Sequence, residues 1–181
     1  MADELRGHTI AILATDGVEQ VELVESRAAL DAAGATTHLL APHDGHIQAM
    51  NGDIEPADTF GVDKVVGDAA PSDYDGMVLP GGTINPDRLR TDRKAIGFVR
   101  AMVGAGKPVA AICHGPWTLV EADVVRGRRL TSYPSIRTDI RNAGGEVVDE
   151  PAVRDGSLLT SRNPGDLPAF CEAAISLFAG D

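Results

Sequence analysis

The chain has 181 residues, of which 43% are apolar and 24% charged, enough for one α/β unit with a sizeable core but not comfortably for two. A formal charge of -11 and the lack of any Lys/Arg tract argue against direct binding to a nucleic-acid backbone, although modified nucleotides stay open as substrates. The polar stretch 1–6 has no apolar signal-like core, and no apolar run is long enough to span a bilayer. A cytoplasmic protein with no membrane partner is therefore expected.

Apolar aromatics are scarce, so Val, Ile, Leu and Ala must fill the core, a mix that suits a parallel sheet covered by helices. Thr9–Leu13 reads as a first, central strand. Asp16-Gly17 turns the chain into a helix over 19–33, with Val21, Val24 and Ala28 as its apolar stripe and Gly34 as its stop. Thr36–Leu40 is the next strand. Between His43 and Asp58, the Asp44-Gly45 and Asn51-Gly52 dipeptides bracket short segments and predict a small antiparallel excursion.

Asp75–Leu79 returns to the main sheet and ends at Pro80-Gly81-Gly82. A helix over 92–105 leads to a buried strand, Pro108–Ile112, with Cys113 at its carboxyl end. Helices over 116–122, 135–143 and 167–178 follow, with short strands at 146–148, 152–153 and 158–161. The alternation predicts right-handed crossovers and a mostly parallel, doubly wound α/β sheet. Ligands bind such sheets beyond the carboxyl ends of the strands. Asp16–Glu22, Pro80-Gly81-Gly82 and Cys113-His114-Gly115 all converge there.

Ala111-Ile112-Cys113-His114-Gly115-Pro116 has the form of a nucleophile elbow, with Gly115 leaving room for a helix to begin close behind. The helix start favours thiolate and predicts a lowered thiol pKa. His114 is placed to act as general base or acid. Glu19, at the start of the first helix, is the leading candidate for a carboxyl beside Cys113, with Glu22 one turn later as the second. Either could instead complement the helix dipole. Gly81 and Gly82 could offer backbone N–H groups to an oxyanion, or form an ordinary turn. Trp117 either walls the pocket or packs.

The remaining candidates read as structural. Arg126, Arg128 and Arg129 suit a solvated loop. Cys171 shares the apolar face of Leu167, Phe170 and Ala174 and is expected to be buried and inert. With only Cys113 and Cys171 no disulfide framework is suggested. His43 and His46 lack a third ligand, so no metal is expected, and no phosphate loop or dinucleotide fingerprint is present, so no cofactor is expected.

Ala-Ile-Cys-His-Gly-Pro at 111–116, Leu-Pro-Gly-Gly at 79–82, Thr-Ser-Tyr-Pro at 131–134 and Gly-Val-Glu-Gln-Val-Glu-Leu at 17–23 together resemble the PfpI family. These are the "intracellular protease I" proteins of the glutamine-amidotransferase-like superfamily. The motifs run in family order over nearly the whole chain. The resemblance implies a single domain over 1–181 with 1–8 as an N-terminal extension, and a flavodoxin-like three-layer sandwich. It implies a Glu–Cys pair, carried here by Glu19 and Cys113, with His114 as the catalytic histidine. In peptidase-like members a neighbouring subunit supplies an acid; the matching position is Asp87, where those relatives carry the longer Glu. A homodimer or larger homo-oligomer is implied with it.

Two functions follow as expectations. One is a cysteine-dependent hydrolase acting on a small carbonyl or glycated substrate, or on a peptide, with deglycase or glyoxalase chemistry favoured beside Trp117. The other is a stress-response redox sensor working through oxidation of Cys113 with little turnover.

Overall fold

A computed structural model describes residues 3–181. The elements are β1 (Thr9–Leu13), β2 (Val18–Glu19), α1 (Gln20–Ala32), β3 (Thr36–Ala41), β4 (His46–Asn51), β5 (Glu55–Gly61), β6 (Lys64–Val65) and β7 (Gly76–Leu79). They continue as α2 (Ile84–Leu89), α3 (Arg93–Gly104), β8 (Val109–Ile112), α4 (Pro116–Glu121), β9 (Arg129–Leu130) and α5 (Arg137–Asn142). The last are β10 (Glu146–Val147), β11 (Ala152–Asp155), β12 (Leu158–Ser161) and α6 (Leu167–Ala179). Among the described residues no helix is long and apolar enough to cross a membrane.

The main sheet has strand order β11-β12-β8-β7-β1-β3-β6. All its pairings are parallel except β11 with β12, which is antiparallel. The strands β1, β7 and β8 are almost wholly buried, which is why they read as unbroken apolar runs rather than alternating ones. Alternate residues still face opposite layers. Ile10, Ile12, Val78, Ala110 and Ile112 pack with Leu23 and Leu30 of α1 and with Phe170 and Leu177 of α6. Ala11, Leu13, Met77, Leu79, Val109 and Ala111 pack with Phe98 and Val99 of α3, Leu119 of α4 and Ile140 of α5. The result is the expected three-layer α/β sandwich.

The predicted excursion is the β4–β5 antiparallel ribbon, which β2 extends by parallel pairing with β4. Its tip, Asn51-Gly52-Asp53, folds back over the carboxyl edge of the main sheet. α3 starts where expected, because the Asp92 side chain caps it by accepting from the Ala95 N–H at 2.8 Å. The helix expected over 135–143 is divided into a tight turn at Pro134–Ile136 and α5. The 1–8 extension falls partly outside the described residues. Within them, Leu5 is buried and its N–H bonds to the Ala33 carbonyl at 2.9 Å, so this segment seals the end of α1.

α1 departs from expectation in a way that matters for the site. Its inward face is Glu22, Leu23, Ser26 and Leu30, whereas Val21 and Val24 are exposed. The predicted stripe of Val21, Val24 and Ala28 is the opposite side, where Val21 and Ala28 line an apolar groove against Leu167 and Cys171. Pairing of Val18-Glu19 with β4 delays the helix until Gln20 and sets that rotation. Cys171 is accordingly half-buried in the groove rather than interior. Burial and the nearby Glu25 charge push its thiol up to about 11, which leaves it unreactive as a thiolate at neutral pH.

Candidate active site

β8 delivers Cys113 into the turn before α4 with φ 63°, a left-handed conformation that a non-glycine residue adopts at a cost of about 1–2 kcal/mol. The turn is held on both sides. The Cys113 N–H donates to the Ser161 carbonyl at 3.1 Å, its own carbonyl accepts from the Tyr133 N–H at 2.8 Å, and the Gly115 N–H closes on the Ile112 carbonyl at 2.8 Å. The thiol is thereby aimed off the strand end, although the residue remains only 5% exposed.

His114 is 6% exposed and held at both ring nitrogens. Nδ1 lies 3.2 Å from the Cys113 sulfur, and Nε2 lies 3.0 Å from the Ser135 hydroxyl. The ring stacks on Tyr133 with centroids 4.4 Å apart and has Trp117 at 6.1 Å. Desolvation lowers its pKa, opposed by the negative charge of Asp53, so the imidazole is neutral at neutral pH and can accept a proton. Ser135 had no signal in the sequence, where it reads only as the first residue of the helix expected over 135–143.

The carboxyl beside Cys113 is Glu22, not Glu19. Glu22 is 0% exposed; its Oε2 accepts from the Gly81 N–H at 2.6 Å, and its Oε1 has no hydrogen-bond partner among the N and O atoms around it. It sits close enough to Cys113 for the two groups to control each other's protonation. Burial dominates and raises the Glu22 pKa to about 7, with the Gly81 N–H and the thiol contact pulling the other way. Glu19 instead closes β2 at the foot of α1 and accepts from the Gly52 N–H at 3.0 and 3.3 Å. Its burial raises its pKa only against that backbone bond.

Burial also pushes the Cys113 thiol up, and the Glu22 charge and hydrogen bond add to this, while the N–H groups of Gly82 and His114 favour the thiolate. The lowered thiol expected from the helix start is therefore overturned: burial is the largest cause of the rise, and an ionised Glu22 adds to it. α4 is six residues long and cannot outweigh a buried carboxylate. Cys113 and Glu22 form one coupled pair in which the carboxyl gives up its proton more readily than the thiol; transfer of the remaining thiol proton to Glu22 leaves a thiolate facing two amide donors and an acid.

The glycines divide the work. The Gly81 N–H is committed to Glu22, so Gly82 and His114 supply the amides that face the sulfur. A Cβ on Gly81 would lie 2.7 Å from Cys113 Cβ and 2.9 Å from the His114 nitrogen. Gly115 spends its own N–H within the turn and is a packing glycine: a Cβ there would collide with the Leu79 carbonyl oxygen and lie 2.9 Å from that of Ile112. Gly115→Ala is thus expected to destabilise the fold by about 2 kcal/mol, since backbone rather than a side chain must give way. Thermal unfolding with an unchanged midpoint would contradict this.

Trp117 packs beside His114 against the core of the α3–α5 layer and is anchored there. Its indole N–H donates to Asp139 at 2.8 Å, and the Arg90 guanidinium lies over the ring at 5.0 Å. Asp87 is exposed on α2 and is not brought to His114 within the subunit, where Ser135 occupies the far ring nitrogen. His46 stands in β4, and His43 turns its Nδ1 to the Asp44 carbonyl at 2.9 Å. Among the described residues no group of three or more ligating side chains is placed to hold a metal ion.

A strained cysteine at the end of a central parallel strand, with a buried glutamate and an adjacent histidine, matches the sequence pattern of one family. Residues 8–177 fit the model of the DJ-1/PfpI family, and the chain belongs to it. It is 39% identical over 170 residues to "Protein/nucleic acid deglycase 2" of Escherichia coli (strain K12), covering 93% of this chain and 96% of that protein. It is 38% identical over 173 residues to "General stress protein 18" of Bacillus subtilis (strain 168), covering 94% and 98%. The crystal structure of Drosophila melanogaster DJ-1beta superposes with a TM-score of 0.86 at 26% identity, covering 96% of this chain and 91% of that one.

Proposed function

We propose that this protein is a cysteine-dependent hydrolase of small carbonyl adducts, deglycase- or glyoxalase-like, with Cys113 as nucleophile. The observation that carries the reading is the fully buried Glu22 carboxyl, held on the Gly81 N–H beside Cys113, with His114 3.2 Å from the sulfur on its other side. The sulfur lone pair forms a bond to the substrate carbonyl carbon, the carbonyl π pair moves onto oxygen, and the amides hold that oxygen while Glu22 protonates it. His114, neutral and 3.2 Å from the sulfur, takes up and returns the proton of the group that leaves. For an α-oxoaldehyde adduct of an amine, one water in and a free amine plus a 2-hydroxy acid out closes the balance. The amine leaves first and regenerates the aldehyde that the sulfur attacks. The C–H proton of the sulfur adduct is then removed and returned to the former ketone carbon, so the aldehyde carbon is oxidised as the ketone carbon is reduced. Water cleaves the resulting thioester to the 2-hydroxy acid and free thiol.

The relatives named deglycases support this reading, and so does a recessed thiol, which suits small electrophiles better than an extended peptide. Addition of Asp87 from a neighbouring subunit would complete a peptidase-like arrangement and belongs to the same proposal. The test is a panel of methylglyoxal, its hemithioacetals and amine adducts, and model peptides, run against wild type and Cys113→Ala. Loss of turnover on the carbonyl substrates is expected in the variant; retained wild-type turnover sinks the proposal.

The redox alternative draws on the same geometry, because two amides and an acid also stabilise an oxidised sulfur. Selective oxygen addition at Cys113 under dilute peroxide, together with no turnover of any substrate in the panel, would favour it.

A further inference from the structure

The ribbon tip Asn51-Gly52-Asp53 reaches the site from outside the main sheet and is tied to it twice. Gly52 donates its N–H to Glu19. Asp53 accepts from the Thr83 N–H at 2.7 Å through one carboxylate oxygen and from the Thr83 hydroxyl at 2.8 Å through the other. Thr83 directly follows the Gly81-Gly82 pair, which lies against the elbow: a Cβ on Gly81 would be 2.7 Å from Cys113 Cβ, and the Gly82 N–H favours the thiolate. Asp53 does this from a left-handed backbone position, φ 68°, a conformation that Asp and Asn tolerate better than most residues.

A doubly accepting carboxylate fixes the place and orientation of the Gly82–Thr83 peptide, the unit next to the Gly81–Gly82 peptide that carries the Gly82 N–H. An oxyanion donor must be held before the reaction to be useful. We propose that Asp53 is the positioning residue of this site: it locks Thr83 and thereby holds the Gly81-Gly82 turn, with its backbone amide, in place beside Cys113. The titratable residues that face it are Glu19 and Glu22 from β2 and α1 and His114 from the elbow. Its negative charge pushes the proton affinity of all three upward, although burial leaves that of His114 lowered on balance, and no basic side chain contributes to any of them. The inference rests on Cys113 being the nucleophile, but not on which carbonyl compound it attacks.

Two substitutions separate lock from charge. Asp53→Gly keeps the left-handed backbone and removes both bonds. Asp53→Asn keeps the shape and an acceptor for the Thr83 N–H but removes the charge. Three readouts apply to the full chain: amide hydrogen exchange at Gly82, the pH dependence of Cys113 alkylation by iodoacetamide, and kcat and KM on whichever carbonyl substrate the wild type turns over. Asp53→Gly is expected to speed Gly82 exchange and to lower kcat about tenfold with KM little changed, part of what losing an oxyanion donor outright would cost. Asp53→Asn is expected to leave exchange near wild type and move the alkylation midpoint down by about half a unit.

Thr83→Val, which loses the hydroxyl bond but keeps the N–H bond to Asp53, should show the same exchange and kcat effects in smaller measure, and Thr83→Ser should restore them, which a general loss of stability would not do. Unchanged Gly82 exchange and an unchanged alkylation profile in Asp53→Gly would overturn the inference. Absence of any wild-type turnover would overturn the proposed reaction instead, leaving exchange and alkylation to decide the role of Asp53.

Discussion

Glu22→Ala is expected to lower turnover by at least about 100-fold, the lower end of what a positioned acid contributes, while Glu19→Ala leaves it within a few-fold. The difference follows from position alone. Glu22 is buried against Cys113 with one oxygen on the Gly81 amide; Glu19 is turned to Gly52 at the base of the ribbon. The pH dependence of alkylation separates the chemical role of Glu22 from a packing role. Below about pH 7 the Cys113–Glu22 pair holds two protons, and above it holds one, because the carboxyl titrates there. Once the carboxyl has lost that proton it can take up the thiol's in turn, so alkylation in the wild type should rise through about pH 7, with Glu22 as the base that frees the sulfur.

Glu22→Gln preserves the size and an acceptor for the Gly81 N–H but removes that first proton. Reactivity in the variant should then rise only above the ordinary thiol range, about pH 8.5, since burial still opposes the thiolate. A Glu22→Gln profile that keeps the wild-type midpoint would show that another group governs the thiol.

How far the sequence led to this pair depends on which physical signal each residue left. The strands β1, β7 and β8 and the elbow were legible because buried parallel strands make continuous apolar runs, and Cys113-His114-Gly115 follows one directly. α1 was misread in rotation. Val21, Val24 and Ala28 form an apolar stripe at helical spacing, and periodicity assigns such a stripe to the core. Here it lines a surface groove, and the face that meets the sheet carries Glu22 and Ser26. A buried ionisable residue breaks the polar-out rule, and such breaks are expected at functional sites.

Asp53 and Ser135 were illegible for a different reason. Each reaches the site from a turn far away in the chain, through contacts with Thr83 and His114 that local pattern does not encode. Gly81 and Gly82 were legible as a pair that matters, but only the fold assigns one amide to Glu22 and the other to the sulfur. Asp87 keeps the standing it had: nothing within one subunit draws it to His114.

The raised proton affinity of Glu22 also makes stability depend on pH, with a sign opposite to that of a salt-bridged carboxylate. An unfolded chain releases this proton near the ordinary value of 4.5, whereas the folded protein keeps it to about 7. Between those two values the native state binds more protons than the unfolded state, so this group's contribution is fully present below 4.5 and is lost as pH rises through 7. Over that window the wild type should lose about 3 kcal/mol from Glu22 alone. Other carboxylates titrate over the same range, so the measurable quantity is the difference between wild type and Glu22→Gln, whose side chain is neutral at every pH.

Chemical denaturation of both proteins at pH 5 and pH 8 should show the variant gaining on the wild type as pH rises, by up to about 3 kcal/mol. A difference that does not change between the two pH values would mean that Glu22 ionises in the folded protein as easily as in the unfolded chain. The proton shared with Cys113 would then have no reservoir. A site that holds such a proton at neutral pH is less stable there than it could be, and that loss of stability is the counterpart of having an acid ready beside the thiolate.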